Sequence, residues 1–143
     1  MANYYLHFSV MLEGLNKKEE EWARAELARR EESEDDGGGT LHDFESTFES
    51  SDTTSDGPSS VWFHDNGESG NVEQIADFVQ SFLKKFRPKD CWGMEWSTDC
   101  SKPRLDAYGG GAVLVTAKKQ VWMNTGTWLA GKGSNFNKRK GKK

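Results

Sequence analysis

One segment, from Asn71 to Phe86, constrains the fold more than any other because its apolar spacing, its cap and its length agree. Large apolar side chains recur at the i, i+3, i+4 and i+7 spacing of a single helical face, and the charged residues fall on the opposite side. The apolar face consists of Val72, Ile75, Ala76, Val79, Phe82, Leu83 and Phe86. Asn71 is a favourable N-cap, Gln74 occupies the capping-box position, and Pro88 ends the helix. The segment therefore predicts a core helix that packs on a sheet.

Alternating apolar and polar residues predict the strands of that sheet. These strands cover residues 4–12, 41–50, 61–64 and 91–97, and residues 111–123 form a hairpin. Residues 41–50 also fit a helical face, and a strand is preferred there. A second helix, over residues 16–30, is opened by Asn16 and carries a narrow apolar stripe. The order βαββαβ plus a C-terminal β-hairpin predicts an α+β fold of the ferredoxin-like type, an antiparallel sheet with two helices on one face.

Length and charge predict the domain organisation. A chain of 143 residues is expected to form one domain, here residues 1–130, with an acidic flexible insertion at 31–58 and a disordered basic tail at 131–143. Glu31–Asp56 contains ten carboxylates and no Lys or Arg, whereas Lys132–Lys143 contains six basic residues. Such blocks are more often solvated, mobile segments than binding surfaces. The fold is therefore expected to depend little on either block.

The sequence also excludes several classes of function. No run approaches 18 apolar residues and the amino terminus lacks the pattern of a secretion signal, so we expect a cytoplasmic protein without a membrane partner. Cys91 and Cys100 have neither the number nor the spacing of a disulfide framework or a zinc site. Gly109-Gly110-Gly111 opens a predicted strand rather than a helix, which does not indicate phosphate binding. We expect no metal and no cofactor.

The most distinctive segment is WGMEWSTDCSKPRLDAYGGGA, residues 92–112. It combines aromatic side chains with carboxylates and two cations, which is typical of a rim that binds an anionic group or of a loop held by its own salt bridges. The candidate binding residues are Trp92, Glu95, Trp96, Asp99, Lys102, Arg104 and Asp106. No catalytic residue is assigned, because His7, His42 and His64 fall in different elements and none pairs with a nucleophile.

This segment is similar to one in uncharacterised small proteins of bacteria and their phages. The similarity runs from about Trp62 to Leu129 and leaves out the acidic block and the basic tail. Because no activity is attached to those proteins, the resemblance implies no catalytic role for any residue of this chain.

Three functions fit these features. The preferred one is a non-enzymatic interaction module, such as a phage or mobile-element accessory protein that binds a host protein, because catalytic signatures are missing and six tryptophans are present. The first alternative is a small enzyme whose carboxylates lie around Glu95–Asp106 beside Arg104. The second is nucleic-acid binding through the basic tail and exposed aromatic side chains, and nucleic acid is the less favoured partner. The sequence indicates no oligomeric state.

Overall fold

A computed structural model describes residues 3–34, 44–50, 58–67, 70–105 and 107–140. The elements in chain order are β1 (Tyr4–His7), β2 (Ser9–Leu15), α1 (Lys17–Glu34), β3 (Glu45–Ser50), β4 (Ser59–His64), α2 (Val72–Phe86), β5 (Cys91–Cys100), β6 (Gly109–Thr116), β7 (Gln120–Asn124) and α3 (Thr125–Lys140). The predicted α+β class is confirmed. Within these described ranges, none of the three helices is both long and apolar enough to cross a membrane.

The described strands form two antiparallel sheets. Sheet A has the order β1-β5-β6-β7, and sheet B has the order β2-β4-β3. In sheet A, Tyr4 lies opposite Cys100, and in sheet B, Val10 lies opposite Phe63. Two strands that are consecutive in sequence, β1 and β2, therefore belong to different sheets.

The predicted βαββαβ order is not found, because the first predicted strand, residues 4–12, is two strands. Phe8 lies between them and is buried. Its backbone N–H donates to Asp65 Oδ1 at 2.9 Å, and its carbonyl accepts from the Asp65 backbone N–H at 3.3 Å. Asp65 thus takes the place of a ladder partner at Phe8, and the chain passes from sheet A to sheet B. The side-chain alternation continues through Phe8, so periodicity does not reveal the break.

Helices α1 and α2 are capped at the residues that the sequence predicts. Asn71 Oδ1 accepts a hydrogen bond from the Gln74 N–H at 3.1 Å and caps α2. Phe78, which the predicted apolar face leaves out, is fully buried because Trp22 of α1 stacks on it with ring centroids 5.8 Å apart. The largest fully buried side chains are Phe63, Phe78, Phe82, Leu15, Ile75, Leu83, Val61, Val79 and Val115. The two sheets and helices α1 and α2 therefore share one core.

Arg87 joins the ends of three elements. It follows α2, and its backbone N–H donates to the Leu83 carbonyl at 2.9 Å. Its guanidinium donates to the carbonyl of Gly14 at 2.8 Å, near the end of β2, and forms an ion pair with the buried carboxylate of Glu19 at 3.0 Å. Glu19 also accepts from the Asn16 N–H and completes the capping box of α1. One side chain thus connects β2, α1 and α2.

The structure describes parts of the two charge blocks. Within 31–58, the described residues include the end of α1 and all of β3, while residues 35–43 and 51–57 lie outside the described residues. Their predicted flexibility stays a prediction. At the other end, the tail that the sequence predicts to be disordered begins at Gly131, and the structure describes helix α3 from Thr125 to Lys140. Gly131 and Gly133 favoured disorder in the sequence, but both have open space around them and neither prevents helical backbone.

Candidate functional site

The polar residues predicted in the 92–106 segment do not converge. Glu95 and Asp99 both lie on the solvent face of sheet A, four residues apart on β5, which is about 13 Å at the rise of a strand. They line different clefts. Lys102 and Arg104 are exposed in the loop after β5, and Asp106 lies outside the described residues. The structure therefore does not assemble the described members of this set into one site.

The two tryptophans of the same segment lie on the opposite, core-facing side of β5. Trp92 donates its indole N–H to the Met11 carbonyl at 3.0 Å, which ties β5 to β2. Trp96 lies across its register partner Gly111, where a Cβ atom would meet both the indole ring and the Met123 carbonyl oxygen. Both rings therefore contribute to packing, and Gly111 is required by the close approach of Trp96.

A polar cluster that the sequence does not reveal surrounds His7. The His7 Nδ1 atom lies 3.3 Å from Asp65 Oδ2, and the Nε2 atom lies 3.5 Å from Asp99 Oδ1. Tyr5 stacks on the imidazole with ring centroids 6.0 Å apart. The cluster opens into a shallow cleft of about 500 Å³ lined by Tyr5, His7, Gly67, Asp99 and Cys100. An imidazole of β1 is thus placed between carboxylates from two other parts of the chain.

The hydrogen bonds to Asp65 indicate a structural role for this carboxylate. Burial acts to raise the pKa of Asp65, but the hydrogen bonds donated by the Phe8 N–H, by His7 and by the Gly67 N–H outweigh it and hold the pKa below its ordinary value. A carboxylate stabilised as the anion in this way is a weak proton acceptor. Across the described ranges, no group of three or more His, Cys, Asp or Glu side chains is arranged to hold a metal ion.

Exposed large apolar side chains gather toward the carboxyl end of the chain. Leu114 of β6 lies opposite Val121 of β7, and Ala112 lies opposite Met123, on the solvent face of sheet A. Trp122 is also exposed but faces the other way, and its ring centroid lies 5.7 Å from that of Trp96. We call the following set, which lies on both faces of sheet A at its β7 edge and on α3, the C-terminal apolar surface: Leu114, Val121, Trp122, Met123, Trp128, Leu129 and Phe136.

Helix α3 is fixed to this end of sheet A through its first turn. Asn124, the last residue of β7, accepts a hydrogen bond from the Thr127 N–H at 3.2 Å and so caps the helix. The Thr125 hydroxyl accepts a hydrogen bond from the Gly110 N–H of β6 at 3.1 Å. Beyond this turn, the described side chains of α3 are exposed. The helix is therefore anchored at its start and solvated along its length.

Helix α3 carries aromatic and basic side chains on one stripe. Trp128, Lys132 and Phe136 follow one another at intervals of four residues, which places them on the same helical face. The Lys132 Nζ atom lies 5.9 Å from the Trp128 ring centroid. Residues 107–143 contain eight Lys or Arg and no Asp or Glu, whereas residues 1–106 contain all 23 acidic residues. This end of the protein is therefore both apolar and cationic, and the rest is acidic.

No protein family model, curated protein or solved structure matches the chain. Its function is accordingly inferred from the chemistry of these surfaces.

Proposed function

We propose that this protein is a non-enzymatic module that binds another protein, and that the C-terminal apolar surface is where it binds. One observation carries the proposal: seven large apolar side chains on consecutive elements, β6, β7 and α3, are between 41 and 66 % exposed. Exposed apolar groups of this size on neighbouring elements mark interaction sites, because leaving them in water is unfavourable. Trp and Met are enriched in the buried centres of protein interfaces.

The placement of the other tryptophans supports this assignment. Trp22 and Trp92 pack against the core, and the Trp62 indole N–H donates to the Ser9 hydroxyl at 2.8 Å. Trp122 and Trp128 are the two tryptophans with large exposed areas, and both belong to the C-terminal apolar surface. Tryptophan is the residue most often found at energetic hot spots of interfaces. Trp122 and Trp128 are therefore the two candidate anchor residues through which this protein contacts a partner.

The small-enzyme alternative finds less support. Glu95 and Asp99 line different clefts, and the Asp65 carboxylate beside His7 already accepts three hydrogen bonds. General acid–base catalysis needs a pair of groups that can reach the same substrate. The described carboxylates are not arranged in that way.

Nucleic-acid binding is the second candidate, and the aromatic and basic stripe of α3 favours it. Phosphate contacts alone leave Leu114, Val121 and Met123 without a role, because these side chains lie on sheet A and carry no charge. Protein binding uses both parts of the surface. We infer that the module acts in the cytoplasm, as an accessory protein of a phage or mobile element that binds a host protein, on the strength of its resemblance to small bacterial and phage proteins.

Quantitative affinity capture from cells that express the protein tests this function. We expect the triple variant Leu114→Ser, Val121→Thr, Trp128→Ser to lose captured partner at least tenfold, because hot-spot truncations cost about 2 kcal/mol or more. All three side chains are exposed, so the fold is retained, which circular dichroism verifies. Leu105→Ser is the matched control, because Leu105 is also exposed but lies in the loop after β5. Equal capture by the triple variant, or equal loss in the control, contradicts the proposal.

A further inference from the structure

Each sheet has two edge strands, β1 and β7 in sheet A and β2 and β3 in sheet B, and two of these, β3 and β7, are opposite in character. Sheet B ends at β3, which carries Glu45 and Glu49, and charged side chains on an edge strand oppose pairing with another chain. Sheet A ends at β7, whose sequence QVWMN has no charge and whose residues from Val121 to Asn124 are all exposed. In the described part of the chain no strand pairs with β7 on its outer side. The edge at β7 is therefore open to a further strand, and the edge at β3 is protected.

Basic residues lie on both sides of β7 in sequence. Lys118 and Lys119 form the turn that precedes it, and Lys132, Lys138 and Arg139 of α3 follow it. No Asp or Glu occurs after residue 106, and the acidic side chain that contacts β7 is Asp77 of α2, which accepts a hydrogen bond from Gln120 at 2.8 Å. An acidic segment is attracted to this end of the molecule and repelled by the acidic remainder, which gives both orientation and selectivity.

From this juxtaposition, and resting on the proposed function, we infer that the partner presents an extended acidic peptide segment that pairs with β7 as an additional outer strand of sheet A. Main-chain hydrogen bonds to β7 supply affinity that does not depend on sequence. Alternate side chains of the added strand lie beside Val121 and Met123 on one face and beside Trp122 on the other. Acidic side chains of the added strand contact the lysines that precede and follow β7.

Two other occupants fit less well. A second copy paired through β7 brings two basic α3 helices to the same interface, where like charges repel. A nucleic acid meets the cations but has no peptide backbone to continue the sheet. The charge and the open edge together therefore favour an acidic polypeptide.

Selection from a random library of displayed ten-residue peptides on the immobilised full chain tests the inference. We expect the enriched peptides to be net negative and rich in Val, Ile and Thr, and to lose binding at least tenfold when a central residue is replaced by proline, which cannot complete a ladder. With the most enriched peptide as the probe, amide hydrogen exchange should slow in residues 120–124 and stay unchanged in residues 45–50 of β3. Failure to enrich acidic peptides, or protection confined to α3, overturns the inference.

Charge-reversal variants test the electrostatic part. Lys132→Glu, Lys138→Glu, Arg139→Glu on exposed positions of α3 should weaken binding of the same peptide at least tenfold. The matched control Lys84→Glu, Lys85→Glu, Lys89→Glu makes the same change of charge at exposed positions elsewhere and should weaken it less than threefold. Similar losses in both triples, a dimer in sedimentation that excludes the peptide, or tighter binding of an oligothymidylate at the same site overturns the inference.

The two proposals fail in different ways. If Leu114→Ser, Val121→Thr, Trp128→Ser abolishes partner capture but no acidic peptide is enriched, the protein-binding function stands and the acidic strand is wrong. If partner capture is insensitive to that triple variant, the proposed function itself is wrong.

Discussion

Asp65 holds the position at which the chain passes from sheet A to sheet B. Its carboxylate accepts from the Phe8 N–H at 2.9 Å and from the Gly67 N–H at 3.1 Å, and it faces His7. The Phe8 side chain is buried, so a Phe8 N–H without an acceptor is costly. A single side chain thus compensates for the interruption of the ladder.

We expect Asp65→Ala to lower the free energy of unfolding at pH 7 by about 2 to 3 kcal/mol, because it removes a charged acceptor from a backbone donor. The pKa of Asp65 is lowered in the folded state, so its stabilising effect is complete above the unfolded-state pKa of about 4. The effect is lost as pH falls through the lower folded-state pKa. The difference in the free energy of unfolding between wild type and Asp65→Ala, measured by urea denaturation, should therefore become smaller as the pH is lowered from 7 to 3.

The control for this prediction is Asp90→Ala, at an exposed aspartate in the connection between α2 and β5. It should change stability by less than about 0.5 kcal/mol at every pH. A difference for Asp65→Ala that stays constant from pH 7 to pH 3 contradicts the role assigned to the carboxylate.

A second prediction for a single residue concerns Gly111. We expect Gly111→Ala to destabilise the fold by about 1 to 3 kcal/mol, because the new methyl group meets the Trp96 ring and the Met123 carbonyl oxygen. Gly131→Ala is the matched control: it has open space in the exposed helix α3, where alanine raises helix propensity by up to about 1 kcal/mol. Thermal melts compare the two, and equal effects of the same sign contradict this account.

At the scale of elements, α2 and α3 contribute very unequally to stability. Six residues of α2 are buried, including Phe78 and Phe82, whereas the described side chains of α3 are exposed. Burial of large apolar side chains is the main favourable term in folding. Stability is therefore concentrated in α2, and α3 is available for binding.

We expect removal of residues 131–143 to change the free energy of unfolding by less than about 1 kcal/mol, because little apolar area is buried there. Phe78→Ala, at a fully buried position in α2, should cost about 3 to 5 kcal/mol. Chemical denaturation measures both. A large loss on truncation shows instead that the second half of α3, including Phe136, is docked on the rest of the protein.

The sequence predicts elements whose signals are local and misses arrangements that depend on distant residues. The α2 cap at Asn71, the α1 cap at Asn16 and the β6–β7 hairpin follow from spacing within short windows. The break at Phe8 depends on Asp65, which lies in another part of the chain.

The same contrast holds for the candidate site. Glu95 and Asp99 look paired in sequence because they are close along β5, yet the rise of the strand separates their carboxylates although they share a face. The grouping of His7 with Asp65 and Asp99 has no sequence signal, because three strands and a helix lie between His7 and Asp65 and a second helix precedes Asp99. The six tryptophans in the sequence suggest a binding surface. Which of them are exposed, Trp122 and Trp128, follows only from the burial of the side chains in the structure.

At the scale of the whole molecule, charge divides the protein into an acidic body and a cationic end. All 23 acidic residues precede residue 107. Exposed charges of this kind contribute little to stability but govern which partners approach and from which side.

We therefore expect the affinity for the selected acidic peptide to fall at least fivefold as NaCl is raised from about 0.05 M to about 0.5 M, because salt screens exposed charges. The free energy of unfolding should change by less than about 1 kcal/mol over the same range, since the core is apolar. Fluorescence titration and urea denaturation at matched salt give the two quantities. An affinity that is independent of salt excludes an electrostatic contribution from α3.

The crossing at Phe8 also determines when the protein can complete its fold. During synthesis β1 and β2 emerge before the strands with which they pair, because Ser9 pairs with His64 and Tyr4 pairs with Cys100. Sheet B can close once β4 and Asp65 have been made, whereas sheet A has to wait for β5. Pairings between such distant residues slow folding, because the loop between them has to be ordered first. Strand β1 therefore leaves the ribosome well before its partner β5 and pairs late in folding.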